Sequence, residues 1–181
     1  MKLWLLDANV IIDLLEMGLF NKLIQRFDVH VASTVASEVQ RYRTGGVTVI
    51  IDFHSLYIKS NMVKEDSAKA GELADMLNKL PSHIPDTIDP GEIESLAIMM
   101  RDEELTFCTC DAAAVGCLPM LDLSERAISV ETLLKKCGLS SKHMKGHHTE
   151  KAFQSMLRKG QEQNIYNVQF TPYKKSTSKL T

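Results

Sequence analysis

Two repeat periods alternate along this chain. Residues 2–6 (KLWLL) form a short apolar run that reads as a buried strand. Residues 8–16 then follow a helical period, with Val10, Ile11, Leu14 and Leu15 on one side. The stretch from Leu19 to Phe27 predicts a second helix, and DVHVAS a β-branched strand. Ser33 or Thr34 can cap a helix over TVASEVQRY, which Gly45 and Gly46 break. VTVIIDF and SLYIK read as strands. Residues 64–79 return to the helical period, with Ala68, Leu73, Met76, Leu77 and Leu80 in step. PSHIPDTIDPG, with three prolines, is a loop.

Asp89-Pro90-Gly91-Glu92 is a helix start. It places aspartate at the cap, proline at the first helical position and glutamate where it closes a capping box. That helix runs to about Glu104. LTFCTC is a strand, and Asp111 caps the short helix AAAVGCL. AISV reads as the last strand, ETLLKKCG as a helix ended by Gly138, and residues 149–160 as a further helix. The end, TPYKKSTSKLT, carries no such pattern and is expected to be unstructured. Strands alternating with helices predict an α/β layer structure with a mostly parallel sheet. Ligand sites in such sheets form beyond the carboxyl ends of the strands.

Composition narrows this. Of 181 residues, 44% are apolar and 24% charged, and no run reaches the ~20 apolar residues of a membrane span. Asp7, Asn9 and Asp13 interrupt the apolar start, which therefore reads as a strand and helix and not as a signal peptide. Cys108, Cys110, Cys117 and Cys137 are expected to be buried free thiols in a reduced, cytoplasmic protein. The adjacent His147 and His148 do not supply the second spaced pair of a zinc motif. The net charge of −2 divides unevenly, with −10 on residues 1–134 and +8 on residues 135–181. A basic C-terminal segment on an acidic body suits a polyanion or an acidic partner, and equally a solvated tail.

The candidate chemistry lies in the acids. Asp7 ends the first strand, Glu38 follows the second, Glu92 opens the middle helix, and Asp111 ends LTFCTC. In a parallel sheet these points can meet at one edge. A like-charge pair at ~4 Å costs on the order of 4 kcal/mol at an effective dielectric of ~20. A cluster therefore needs a cation or shared protons. Oxygen donors favour Mg²⁺ or Mn²⁺. Each acid alone has a simpler role. Asp7 and Asp111 can be helix caps, Glu92 a capping-box residue and Glu38 a solvated helix residue. The metal reading rests on their combination. Glu94 falls opposite the apolar face of Ile93, Leu96, Ala97 and Met100, near Arg101, and is expected to face solvent. Asp89 is a second candidate, explained by capping. Asn9 can support Asp7.

Four pieces, LLDANVIIDLL, VASTVASEVQR, DPGEIESLAIMM and TFCTCDAAAVG, together resemble the PIN-domain family in order and separation. Gly91-Glu92-Ile93-Glu94-Ser95 resembles the branch with a GEAEA-like helix start. The likeness covers roughly residues 2–137, within an expected nuclease domain over 1–138. Residues 139–181 form a basic extension of helix plus flexible tail. The resemblance implies a Rossmann-like α/β/α fold and Mg²⁺- or Mn²⁺-dependent cleavage of single-stranded RNA. It also implies that Asp7, Glu38, Glu92 and Asp111 are the metal-binding acids, with Asn9 at the supporting polar position. Many members are toxins, so an antitoxin protein and a homodimer are expected partners alongside RNA. The chain departs from many members in placing Ala112, Ala113 and Ala114 after Asp111, where a further acid often stands. The extension beyond Gly138 also exceeds the compact toxin pattern. Arg41 and Arg43, expected on the same helix as Glu38, are the candidate RNA-backbone contacts. Lys142, Lys145, Lys151, Arg158 and Lys159 can extend that track. The alternative is a PIN-fold scaffold that binds RNA or protein without catalysis.

Overall fold

The computed structural model describes residues 3–170. The expectation for TPYKKSTSKLT, and with it the flexible tail, falls outside the described residues. Among the described residues, seven strands and eight α-helices follow one another. They are β1 (Leu3–Leu6), α1 (Ala8–Glu16), α2 (Phe20–Ile24), β2 (Val29–Ala32), α3 (Ser33–Glu38), β3 (Arg41–Thr44), β4 (Val47–Ile50) and β5 (Lys64–Asp66). After these come α4 (Ala70–Leu77), α5 (Pro90–Arg101), β6 (Leu105–Cys108), α6 (Ala112–Cys117), β7 (Ala127–Ile128), α7 (Val130–Lys136) and α8 (Glu150–Phe170).

Five strands make a parallel sheet in the order β5-β2-β1-β6-β7, flanked by helices in a three-layer Rossmann-like α/β/α arrangement. The central strands are apolar because helices cover them on both faces. Trp4, Leu5, Leu6, Val29, Val31 and Phe107 are all at most 2% exposed. From β1 the chain steps outward to β2 and β5, then returns to β6 on the other side of β1. The order therefore reverses between β1 and β6, and the segments leaving these strands diverge. This is where an open α/β sheet forms its crevice.

Several local expectations give way. The helix after β2 stops at Glu38, because Val39 leaves helical backbone at ψ 80°. Arg41 and Arg43 stand instead on β3, which pairs antiparallel with β4 in a separate two-stranded sheet. Gly45 (φ 57°) and Gly46 (φ 80°) are the reason. Both central positions of a tight type I′ hairpin turn need positive φ, and Thr44 pairs directly with Val47 across this one. The glycines turn a hairpin where they were expected to break a helix. SLYIK coils into a single wide helical turn, His54–Ile58. Phe53 and Tyr57 there pack against Phe20, with ring centroids 5.9 and 5.1 Å away. Residues 64–66 are a strand, and the following helix starts only at Ala70. α8 is longer than the expected 149–160. It buries Phe153 and Leu157 in the common core and crosses α6 at Gly160, where a Cβ would lie 2.8 Å from Gly116 Cα.

Candidate active site

Asp7 is the residue after β1, and its backbone N–H continues the ladder to Cys108 O at 3.2 Å. It has the extended backbone of a helix cap, but its side chain does not cap α1. The carboxylate is 3% exposed and accepts a hydrogen bond from the Thr109 hydroxyl at 3.1 Å. Thr109 follows β6, is fully buried, and accepts from the Asp111 N–H at 3.1 Å. One threonine thus links the ends of the two strands that flank the reversal point. Burial pushes Asp7 up to about 6, against the Thr109 hydrogen bond, and the charges of Asp111 and Glu38 add to the rise.

Asp111 caps α6 as expected, accepting from the N–H groups of Ala113 at 2.7 Å and Ala114 at 3.0 Å through one oxygen. Its second oxygen takes no part in the cap. Glu92 lies in the first turn of α5, which runs back towards β6 and so begins at the carboxyl edge of the sheet. It accepts from the Asp89 N–H at 3.2 Å, one arm of the expected capping box. Glu92 is 4% exposed, and burial together with the charges of Asp111 and Asp7 pushes it up to about 8. Capping and charge clustering therefore coexist in one residue.

Glu38 ends α3 and reaches over the start of α5. A Cβ on Gly91 would lie 3.1 Å from Glu38 Oε2 and 3.1 Å from Val35 Cγ2. The bare glycine is what lets this carboxylate approach. Glu38 is exposed, and the desolvation its carboxyl still meets against α5, then the charge of Asp89, raise it above its ordinary value. Asp7, Glu38, Glu92 and Asp111 thus share one electrostatic neighbourhood, joined by Asp89. The carboxylates that act on Asp7 and Glu92 all raise their affinity for protons.

The supporting residues are placed differently. Asn9 is exposed on α1, and the hydroxyl that reaches Asp7 belongs to Thr109. Thr109 leaves a faint mark in the sequence, as a polar residue closing an apolar strand. Arg41 and Arg43 are exposed, and with Glu38, Gln40 and Tyr42 they line a cleft of about 580 Å³ between α1 and the hairpin. Glu94 corrects the sequence reading. It is 7% exposed and accepts from the Ser33 hydroxyl at 2.9 Å, the Thr34 N–H at 2.8 Å and the Ala68 N–H at 3.1 Å. Burial opposes its charge, but these donors hold its carboxyl below the ordinary value. The single-face assumption failed because α5 packs against both α4 and α3. Arg101 pairs instead with Glu72 at 3.2 Å and Asp66 at 3.8 Å.

Cys108, Cys117 and Cys137 are buried free thiols, and Cys110 is half-buried. Among the described residues, the His/Cys/Asp/Glu set whose ligand atoms all lie within 4.8 Å of one another is Asp13, Cys110, His147 and His148. The four acids are spaced more widely. Mg²⁺ tolerates such spacing, because it keeps several waters and binds through one or two carboxylates. Among the described residues, no helix is long and apolar enough to cross a membrane. No family model matches the chain, and neither a curated protein nor a solved structure does.

Proposed function

We propose that this chain is a metal-dependent endoribonuclease of the PIN-domain type, hydrolysing phosphodiesters of single-stranded RNA. What supports the proposal is that Asp7 and Asp111 follow the two strands flanking the sheet's reversal point, with Glu92 in the first turn of α5 and Glu38 over Gly91, so that the four carboxylates lie within electrostatic reach of one another. Asp7 and Glu92 are buried, Asp111 is half-buried and Glu38 is exposed, and acids so grouped have two ways to relieve repulsion: protons or a cation.

The donor set fits a hard divalent ion. All four side chains offer carboxylate oxygens, and Asp111 keeps one oxygen clear of its helix cap. Asp7, Glu38, Glu92 and Asp111 would hold Mg²⁺ or Mn²⁺, one or two of them directly and the others through the ion's waters. When bound, such an ion polarises water and offsets charge on a phosphoryl oxygen. The chain's own residues do the rest. Thr109 holds Asp7 and aligns Asp111 against it. Gly91 gives Glu38 room to reach the cluster. Arg41 and Arg43 offer guanidinium groups to the phosphates of a strand lying in the cleft beside Glu38.

The test is cleavage of a labelled single-stranded RNA by purified protein with Mn²⁺. Asp7→Asn and Asp111→Asn are expected to lower the rate by roughly 100-fold or more, the scale of several kcal/mol of transition-state stabilisation. Equal cleavage by the wild type and both folded variants contradicts the proposal. RNA binding without cleavage by the wild type points to a scaffold instead.

A further inference from the structure

A tight set of ligand atoms among the described residues adjoins the acid cluster through Cys110, which precedes Asp111 and feels the charges of Asp7 and Asp111. Thr109, Cys110 and Asp111 follow β6, and the side chains of Thr109 and Cys110 diverge. Thr109 reaches Asp7, while Cys110 joins the set around Asp13. Asp13 lies on the buried side of α1 at 6% exposure. His147 and His148 lie in the single turn Gly146–His148, which the 139–149 connection brings against α1. His148 is fully buried, with Nε2 2.5 Å from Asp13 Oδ2; His147 Nε2 is 3.6 Å from the same oxygen. The two imidazoles are edge-on, with centroids 4.4 Å apart.

We propose that Asp13, Cys110, His147 and His148 hold a zinc-class divalent cation, which fastens the 139–149 connection to α1. One thiolate, two imidazoles and one carboxylate are a complete tetrahedral donor set for Zn²⁺. A thiolate also selects against the hard ions suited to the acid cluster. The inference stands independently of the nuclease proposal.

The present contacts identify what the cation displaces. The Lys145 ammonium is bonded to Asp13 and lies 3.4 Å from Glu16. It neutralises Asp13 in the metal's place, and its half-exposed side chain can leave for Glu16 and water. His148 Nδ1 accepts from the Lys145 N–H at 3.1 Å, so Nε2 carries the proton shared with Asp13. Metal binding at Nε2 moves that proton to Nδ1 and turns the Lys145 N–H away. Burial, then the charges of Asp7, Asp13 and Asp111, push the Cys110 thiol up to about 12, so the cation itself must drive its proton to solvent and binding strengthens as pH rises. Nε2 and Oδ2 must part to roughly 3.3 Å, the edge of a tetrahedron with ~2.0 Å bonds. The competing arrangement is the ion-pair latch alone, with Lys145 and His148 as permanent partners of Asp13.

Co²⁺ distinguishes the two in the full chain, because a thiolate–cobalt bond gives a near-ultraviolet charge-transfer band. The expected result is a band saturating at one equivalent and displaced by Zn²⁺. It should be absent in Cys110→Ser and retained in Asp7→Asn, which leaves all four ligands of this site in place and removes one charge that opposes the Cys110 thiolate. His147→Ala, at an exposed histidine that leaves the Asp13–His148 contact intact, should weaken Co²⁺ binding by about tenfold or more. Lys145→Ala should tighten it. No band in the wild type overturns the proposal in favour of the latch. So does a band that persists in Cys110→Ser, which would assign it to another thiol. Should Cys110→Ser not fold, His147→Ala decides: unchanged Co²⁺ affinity overturns the site.

Discussion

The Thr109 hydroxyl donates to Asp7 Oδ2 at 3.1 Å, across 102 residues of sequence. The same oxygen of Thr109 accepts from the Asp111 N–H at 3.1 Å. A buried carboxylate from one strand is thereby fixed relative to the loop after its neighbour. Thr109→Val keeps the shape and removes the hydroxyl. It should cost about 1 kcal/mol in urea unfolding. It should also lower RNA cleavage by about tenfold, because Asp7 loses its only side-chain donor among the described residues. Unchanged Mn²⁺ affinity in this variant would count against Thr109 as a positioning residue.

Stability should fall as pH rises in the absence of metal. Asp7 near 6 and Glu92 near 8 both lie above their ordinary values of 3.8 and 4.5. Between those limits the folded chain holds protons that the unfolded chain has lost. Folding is therefore favoured at the acid end of the window, and the advantage disappears as pH passes through about 6 and then about 8. Urea midpoints measured from about pH 5 to 9 should decline and then flatten, and saturating Mn²⁺ should lift the alkaline end. A midpoint that rises steadily over this range is the opposite of what these two carboxyls dictate.

Glu92→Gln separates stability from function. The substitution removes a charge that is 4% exposed and faces Asp7 and Asp111. Without metal, at about pH 8, the variant should be more stable than the wild type by about 1–2 kcal/mol. Its cleavage rate should nevertheless collapse. Denaturation and activity assays on the same preparation check both halves.

Gly91→Ala tests how Glu38 reaches the cluster. The new methyl would press on Glu38 Oε2 and Val35 Cγ2, each 3.1 Å away. Alanine suits a helix better than glycine, so the helix itself should tolerate the change. The expected outcome is a folded protein with cleavage lowered by about tenfold, since misplacing a group by a fraction of an ångström is costly. Full activity would remove Glu38 from the site.

Arg41→Ala and Arg43→Ala act through the hairpin. Both side chains are exposed beside the cleft that Glu38 lines. Each should raise KM with little change in kcat, and lower the salt dependence of binding by about 0.7 in log–log slope per lost phosphate contact. An unchanged slope would free the hairpin of any role in RNA binding.

The sequence carries more of the sheet than of the hairpin. Apolar runs such as KLWLL and LTFC are strands because helices bury both faces, so their pattern survives in one dimension. The placement of Asp7, Glu92 and Asp111 was legible because strand ends and helix starts lie at the carboxyl edge of any parallel sheet. Arg41 and Arg43 were misplaced because TVASEVQRY keeps helical composition past the point where Val39 turns the backbone. The Gly45–Gly46 pair was the available hairpin signal. Glu94 was misread because α5 is buried on more than one side. Asp13 had a local signal, since a charged residue at a buried helical position needs a partner. Its partners, Lys145 and His148, are more than 130 residues away, and only the fold could supply them.

The most direct measurement of the central claim is calorimetric titration of Mn²⁺ into the Cys110→Ser protein at about pH 8, compared with the same protein carrying Asp7→Asn or Asp111→Asn. Omitting Cys110 removes the thiolate of the second candidate site, and the two aspartate substitutions leave its remaining ligands untouched, so any binding they abolish belongs to the acid cluster. Saturable binding that either aspartate substitution abolishes is the predicted result. Binding that is absent from the start, or indifferent to both substitutions, would contradict the assignment of the acid cluster as a metal centre.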